Sequence, residues 1–227
     1  NLTVDGPGNT DPSPGTYWFL PDMYVNLTAI PDTSQSAFIG WRDLGSGDLL
    51  SESMNFMLQV SSDLDVQAEF ATADFLLNIL PTTNGTTVPA PDNSYGFLSG
   101  QSVTVTAIAD ATYAFSHWVD QFGNTIGTER SLILTMTSNF TVVPVFVAGD
   151  YELTITKSGV GAGSVDPVPG NYWYLDGFVE TLKVSTGPGG YFAGWTVDSG
   201  VKAPEFAGYA DKLDITMDSN KAVDAAF

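Results

Sequence analysis

Apolar and polar residues alternate along this chain in short bursts. Val103, Val105 and Ala107 share one side of a run whose other side is Thr104 and Thr106. Leu132, Leu134 and Met136 repeat the pattern, as do Leu213, Ile215 and Met217. A period of two sends successive side chains to opposite faces of an extended backbone, so each run predicts a strand with one face turned inward. No stretch keeps a helical period beyond a turn or two. Glycine (23) and proline (13) interrupt the runs at short intervals, which predicts many short strands joined by turns. Pro144 falls inside the run Thr141–Phe146. It has no N–H to give a ladder, so that strand is expected to be an edge or to be bulged.

The bursts recur at a fixed spacing. "AFIGW" ends at Trp41, "AFSHW" at Trp118 and "YFAGW" at Trp195, 77 residues apart each time. A strand precedes each tryptophan: Val25–Ala29, Val103–Ala107 and Glu180–Val184. A second follows it: Phe56–Val60, Leu132–Met136 and Lys212–Met217. Each unit closes on a strand ending in phenylalanine, at Phe70, Phe146 and Phe227. The pattern gives three tandem modules, residues 1–71, 74–147 and 150–227, each of six short strands. The joins between them are a few residues long, so neighbouring modules should touch. The repeated Phe38, Trp41, Phe115, Trp118, Phe192 and Trp195, with Phe70, Phe146 and Phe227, are the expected core of the modules.

An opening phrase repeats too. "PGTYWFL" (Pro14–Leu20) returns as "PGNYWYL" (Pro169–Leu175) and, diluted, as "YGFL" (Tyr95–Leu98). It reads as an aromatic strand. Tyr17, Tyr95 and Tyr172 are common to all copies and are expected to face the core. Trp18, Gly96 and Trp173 hold the variable partner position and are expected to face outward.

Composition narrows the class. Apolar residues make up 43% and charged residues only 15%, so the chain can bury a core. The net charge of −19 disfavours nucleic acid and anionic membrane surfaces as partners. The acid is twenty Asp against six Glu, which suits polar turns. There is no cysteine, and no apolar run long enough to insert in a bilayer. The chain starts at Asn1 in a strand-like pattern, as an excised or mature piece of a longer protein would. Sequons at Asn1, Asn26, Asn84 and Asn139 lean toward an outside location.

The third unit resembles the divergent B-repeat of the internalin-B type. The residues that carry the likeness are "YELTITKSGVGAGSVDPVPGNYWY", a "TLKV" strand, "GGYFAGWTVDSG" and "LDITMDSNKAVDAAF". Units one and two follow the pattern more loosely. "GPGNTDPSP" (Gly6–Pro14) and "PTTNGTTVPAP" (Pro81–Pro91) replace the glycine-rich turn, and His117 stands where the other units have Gly40 and Gly194. The resemblance implies a mainly β fold: small modules, β-grasp-like or a small mixed sheet, strung as an elongated array. It implies use as stalk, spacer, filament or adhesin in secreted or surface-anchored proteins, and it brings no catalytic residues.

Little in the chain points to catalysis. His117 is the single histidine, so a nucleophile–His–acid triad has one candidate base and zinc lacks ligands. "DSG" (Asp198–Gly200) resembles half of an aspartic-protease dyad, but the sister units have no equivalent, and it reads as a turn. Calcium, the one cofactor left open, has candidate loops at Asp43–Asp48 and Asp63–Asp65; neither matches the twelve-residue EF-hand pattern. The exposed-aromatic reading makes Trp18 and Trp173 candidate platforms for a sugar ring or a partner protein. The sequence therefore supports a non-enzymatic extracellular or cell-surface segment. Its expected partners are other domains of the parent protein or identical subunits, with glycans as a further class. The alternatives are a carbohydrate-binding accessory module and the accessory region of a secreted hydrolase.

Overall fold

The computed structural model describes residues 1–198, 200–202 and 211–227. All regular structure among them is β. Module 1 contains β1 (Leu2–Asp5), β2 (Gly8–Asp11), β3 (Met23–Pro31), β4 (Ser36–Asp43), β5 (Leu49–Ser51), β6 (Asn55–Val60) and β7 (Val66–Thr72). Module 2 contains β8 (Phe75–Ile79), β9 (Gly85–Val88), β10 (Asn93–Phe97), β11 (Ser102–Ala109), β12 (Tyr113–Asp120), β13 (Thr125–Gly127), β14 (Ser131–Thr135) and β15 (Phe140–Ala148). Module 3 contains β16 (Tyr151–Ser158), β17 (Gly163–Asp166), β18 (Gly170–Tyr174), β19 (Val179–Thr186), β20 (Gly194–Val197), β21 (Gly200–Lys202), β22 (Lys212–Thr216) and β23 (Lys221–Ala226).

Each module folds two sheets over its own core. The larger sheet is mixed: its first and last long strands run parallel, as β1 with β7, β8 with β15 and β16 with β23. Strand order is β1-β7-β4-β5 in module 1, β10-β8-β15-β12-β13 in module 2 and β18-β16-β23-β20-β21 in module 3. A three-stranded antiparallel sheet closes the other face: β2-β3-β6, β9-β11-β14 and β17-β19-β22. Of the two architectures the resemblance implies, the small mixed sheet is the one adopted. The alternating residues of the sequence fill the space between the sheets, with Leu27, Val105 and Leu182 at the same place in three separate clusters.

The repeated aromatics form one motif three times. Phe38 meets Trp41 and Phe70 at ring-centre distances of 5.6 and 5.3 Å. Phe115 meets Trp118 and Phe146 at 5.4 and 5.9 Å, and Phe192 meets Trp195 and Phe227 at 5.1 and 5.4 Å. Tilted and edge-on contacts at these spacings suit the ring quadrupoles. Trp41 and Trp118 are fully buried, and their indole N–H groups donate to the Ser53 and Glu129 carbonyls. Phe115 alone of the nine is half-buried. A glycine lies against each closing phenylalanine: a Cβ at Gly8, Gly85 or Gly163 would come within 2.5, 2.6 or 2.1 Å of the ring of Phe70, Phe146 or Phe227. That glycine was not singled out in the sequence. It is the feature that survives when the rest of the glycine-rich turn is rewritten, because any side chain there would displace the ring.

Three expectations change. Among the described residues module 1 has seven strands and modules 2 and 3 have eight, rather than six each: the short hairpin partners β5, β13 and β21 are strands in their own right, and the aromatic phrase adds β10 and β18 to the count. In module 1 the aromatic phrase is not a strand: Leu2 pairs with Gly15 by an isolated bridge and residues 16–20 peel away. Tyr17 consequently leaves the core and is 39% exposed, while Tyr95 and Tyr172 are half-buried beside Leu77 and Leu153. Pro144 lies in a central strand, and the irregularity is in its partner, where β12 shifts register between Phe115 and His117. The Pro144 carbonyl points past the end of β8 to the Thr82 hydroxyl (3.0 Å), so the missing proton is on a side where no ladder bond needs it.

The accessible surface is 12566 Å² for 24.1 kDa. A single compact body of that mass exposes roughly 10,000 Å². The excess fits three small cores better than one large one.

Candidate functional site

The joints between modules are where the chain departs from plain packing. At each one the linker hydrogen-bonds back to the module before it. Ala73 N–H donates to the Gln35 carbonyl (2.7 Å), and Gly149 N–H, at the equivalent place, donates to the Thr112 carbonyl (2.9 Å). The next residue is aspartate in both copies, and it clamps the loop after the edge strand. Asp74 N–H donates to the Phe97 carbonyl and its carboxylate accepts from Ser99 N–H; Asp150 N–H donates to the Tyr174 carbonyl and its carboxylate accepts from Asp176 N–H. β10 thereby lies against β4, and β18 against β12.

Side chains then differ. At the first joint Gly96 brings backbone onto backbone: a Cβ there would lie 2.6 Å from the Ser34 carbonyl oxygen and 2.7 Å from the Ser36 carbonyl oxygen and Ala73 Cβ. Gln101 reaches across and donates to the Phe38 carbonyl (3.0 Å). At the second joint Trp173 packs its Cβ against Gly149. Arg130 of module 2 bonds Glu180 of module 3 at 3.0 Å, and its guanidinium stands 6.0 Å from the Tyr172 ring centre. Glu180 is 8% exposed, so the pair is shielded from water on the acidic side. The Tyr174 hydroxyl is buried near both charges and has no hydrogen-bond partner. Burial, then the neighbouring Glu180 charge, push its pKa far above the usual phenol value. Burial also raises Tyr172 and Tyr95.

The two tryptophans proposed as platforms are not equivalent. Trp18 is 89% exposed, with Leu20 exposed beside it and Tyr17 stacked on Phe19 at 6.3 Å. Trp173 is half-buried, because the joint covers it. Gly96 is buried for the same reason. The outward face expected of this position becomes a contact face wherever a module precedes it. The structure does not bring Trp18 and Trp173 together; they occupy matching positions two modules apart.

The candidate chemistry resolves into turn structure. Asp43 and Asp120 hold equivalent hairpin positions. The Asp43 carboxylate accepts from Gly45 N–H and the Ser46 hydroxyl, which hold its pKa below the usual range. Asp120 accepts from the Asn124 side chain and from Asn124 and Phe122 N–H, and is lowered likewise. Among the described residues no three His, Cys, Asp or Glu gather as a metal site. His117 Nδ1 lies 2.9 Å from the hydroxyl of the adjacent Ser116. Asp198 accepts from Ala222 N–H, and Ser199 of the "DSG" turn lies outside the described residues.

The family model of the divergent InlB B-repeat domain matches three times in tandem, at residues 6–74, 75–150 and 151–227. No curated protein matches the chain.

Proposed function

The chain belongs to the divergent InlB B-repeat family, and from that premise we propose that it is a non-enzymatic spacer, a stretch of extracellular stalk that holds other parts of a surface or secreted protein at a set distance. Repeats of this family are modules of surface proteins rather than of a known enzyme family. The observation that carries the reading is the repeated joint. A linker that hydrogen-bonds back to the preceding module, an aspartate clamp and a docked edge strand recur at both boundaries. Two joints of one design set successive modules in a regular relation, as in solenoid arrays, where each unit leans on its neighbour. A hinge between independent domains would instead show a longer, polar linker without such bonds. The acidic surface keeps such an array soluble and disfavours lateral clumping.

Small-angle scattering tests this directly. A compact 227-residue globule has a radius of gyration of about 17 Å. The spacer requires a value well above that, unchanged between low and moderate salt. A value near 17 Å, or one that broadens as free modules would, overturns it.

A further inference from the structure

We propose that the outer face of module 2's larger sheet is a pairing surface for a second copy of this chain, sheet against sheet about a two-fold axis. This goes beyond the spacer reading and does not rest on it.

The repeat supplies the argument, because one fold places different side chains on the same face in each module. β15 reads Val142-Val143-Pro144-Val145-Phe146 through its centre and is apolar on both sides. Val142, Pro144 and Phe146 are buried on the inner side. Val143 and Val145 take the outer side, with Val119 and His117 of β12 directly opposite them. Leu80, at the end of β8, joins them; its N–H donates to the Val142 carbonyl, and it is 41% exposed. These five residues stand outside the core cluster of the module. A run apolar on both sides belongs to a strand covered on both faces. Here the core covers one of them.

The sister modules treat the same positions differently. Module 1 has Gln67 and Glu69 in place of the valines and Arg42 in place of Val119. Glu69 accepts from Arg42 through both carboxylate oxygens, at 2.9 and 3.2 Å. Module 3 has Asp224 and Ala226, with Thr196 in place of Val119, and Asp224 accepts from the Thr156 and Ser158 hydroxyls. All three modules fold on the same inner pattern, so folding does not require valine on the outside. Modules 1 and 3 present polar groups to water there. Module 2 presents a patch suited to a dry contact.

Charge selects the occupant. The chain carries −19, yet five of its 26 acids fall between residues 74 and 149. Two copies that meet through acid-bearing faces repel. The valine patch has no acid, lysine or arginine, and a two-fold contact sets the same patch on both sides, so it is its own complement. Size agrees. The sheet is five strands wide; at ~4.8 Å per strand and ~3.3 Å per residue, a length of about seven residues gives roughly 500 Å² per copy. A total of ~1,000 Å² is the lower edge of specific interfaces, so the pair is weak and concentration-dependent.

Sedimentation equilibrium of the whole chain tests the pairing. The weight-average mass should climb from 24.1 kDa at ~5 µM toward twice that at ~500 µM, and level off at two copies. Salt at ~0.5 M should tighten the pair about threefold, because it screens the acids elsewhere on the chain. Val119→Arg with Val145→Glu copies the Arg42–Glu69 pair into module 2 and should hold the mass at 24.1 kDa throughout. Val143→Gln, a milder change to the residue of module 1, should weaken pairing about tenfold. In the parent, the methyl signals of Val119, Val143 and Val145 should move with concentration, while that of Ile133, exposed on the other sheet, stays fixed. A parent that remains single at ~500 µM in ~0.5 M salt overturns the proposal. So do folded variants that pair as the parent does, growth past two copies, or methyl shifts centred on Ile133.

Discussion

The two joints use one backbone design and two side-chain chemistries. The first, between modules 1 and 2, is uncharged and tight: Gly96 lets backbones touch, and the neutral Gln101 makes the crossing bond. The second, between modules 2 and 3, is bulky and charged, with Trp173 against Gly149 and the Arg130–Glu180 pair beside Tyr172. The small residue has changed sides, from the strand at the first joint to the linker at the second. A joint of this kind needs a close approach somewhere, and either partner can supply it. What the ion pair adds is sensitivity to conditions that the first joint lacks.

The sharpest way to break the comparison is Gly96→Trp, which puts the second joint's residue into the first. Its Cβ would collide with two carbonyl oxygens that cannot turn aside. We expect a loss of about 2–3 kcal/mol in module 2, read by calorimetry, with a scattering profile showing the first joint opened. A variant as stable as the parent would mean that the joint is looser than its contacts imply.

A smaller effect separates the chemistries. Glu180→Gln removes the charge facing Arg130 and should cost about 1 kcal/mol, discounted because Arg130 is a third exposed. The parent should lose stability in module 3 between low salt and ~1 M salt, where the screening length falls to about 3 Å. The variant should lose that dependence, and the first joint should show none in either protein.

The smallest change has the opposite sign. Tyr174→Phe deletes a buried hydroxyl that has no partner, so stability should rise by about 0.5 kcal/mol. The pH profile supplies the check. The folded pKa of Tyr174 is raised, so the fold holds its proton more tightly than the unfolded chain does. That contribution is complete below the unfolded value near ~10 and is lost as pH climbs above it. The parent should therefore lose stability faster than Tyr174→Phe above pH ~10, and the two curves should run parallel below it.

The alternating runs showed most of the fold in advance. Trp41, Trp118 and Trp195 mark equivalent cores because a recurring large aromatic beside a period-two strand has one economical place to go. The aromatic phrase announced β10 and β18, whose inward residues are Tyr95 with Phe97 and Tyr172 with Tyr174. Less visible was that their outer face belongs to the neighbouring module, which alternation within one strand does not encode. Trp173 was misleading for a related reason: its position looked outward within a module, and the joint with the preceding module covers it. The glycines at 8, 85 and 163 were legible in principle, since they stand 33, 33 and 32 residues before the recurring tryptophans. Their signal was masked by the unrelated turns around them.

By itself the sequence determined that there are three copies, which faces of their strands are apolar, and that the chain lacks the histidines and cysteines of a zinc site. These follow from local periodicity and composition, which act within a few residues of each position. Only the tertiary structure decided which edge strand meets which neighbour, where Arg130 finds Glu180, and that Trp18 is left open while Trp173 is closed. Such contacts join residues from different modules, and no local pattern encodes a distance across a joint.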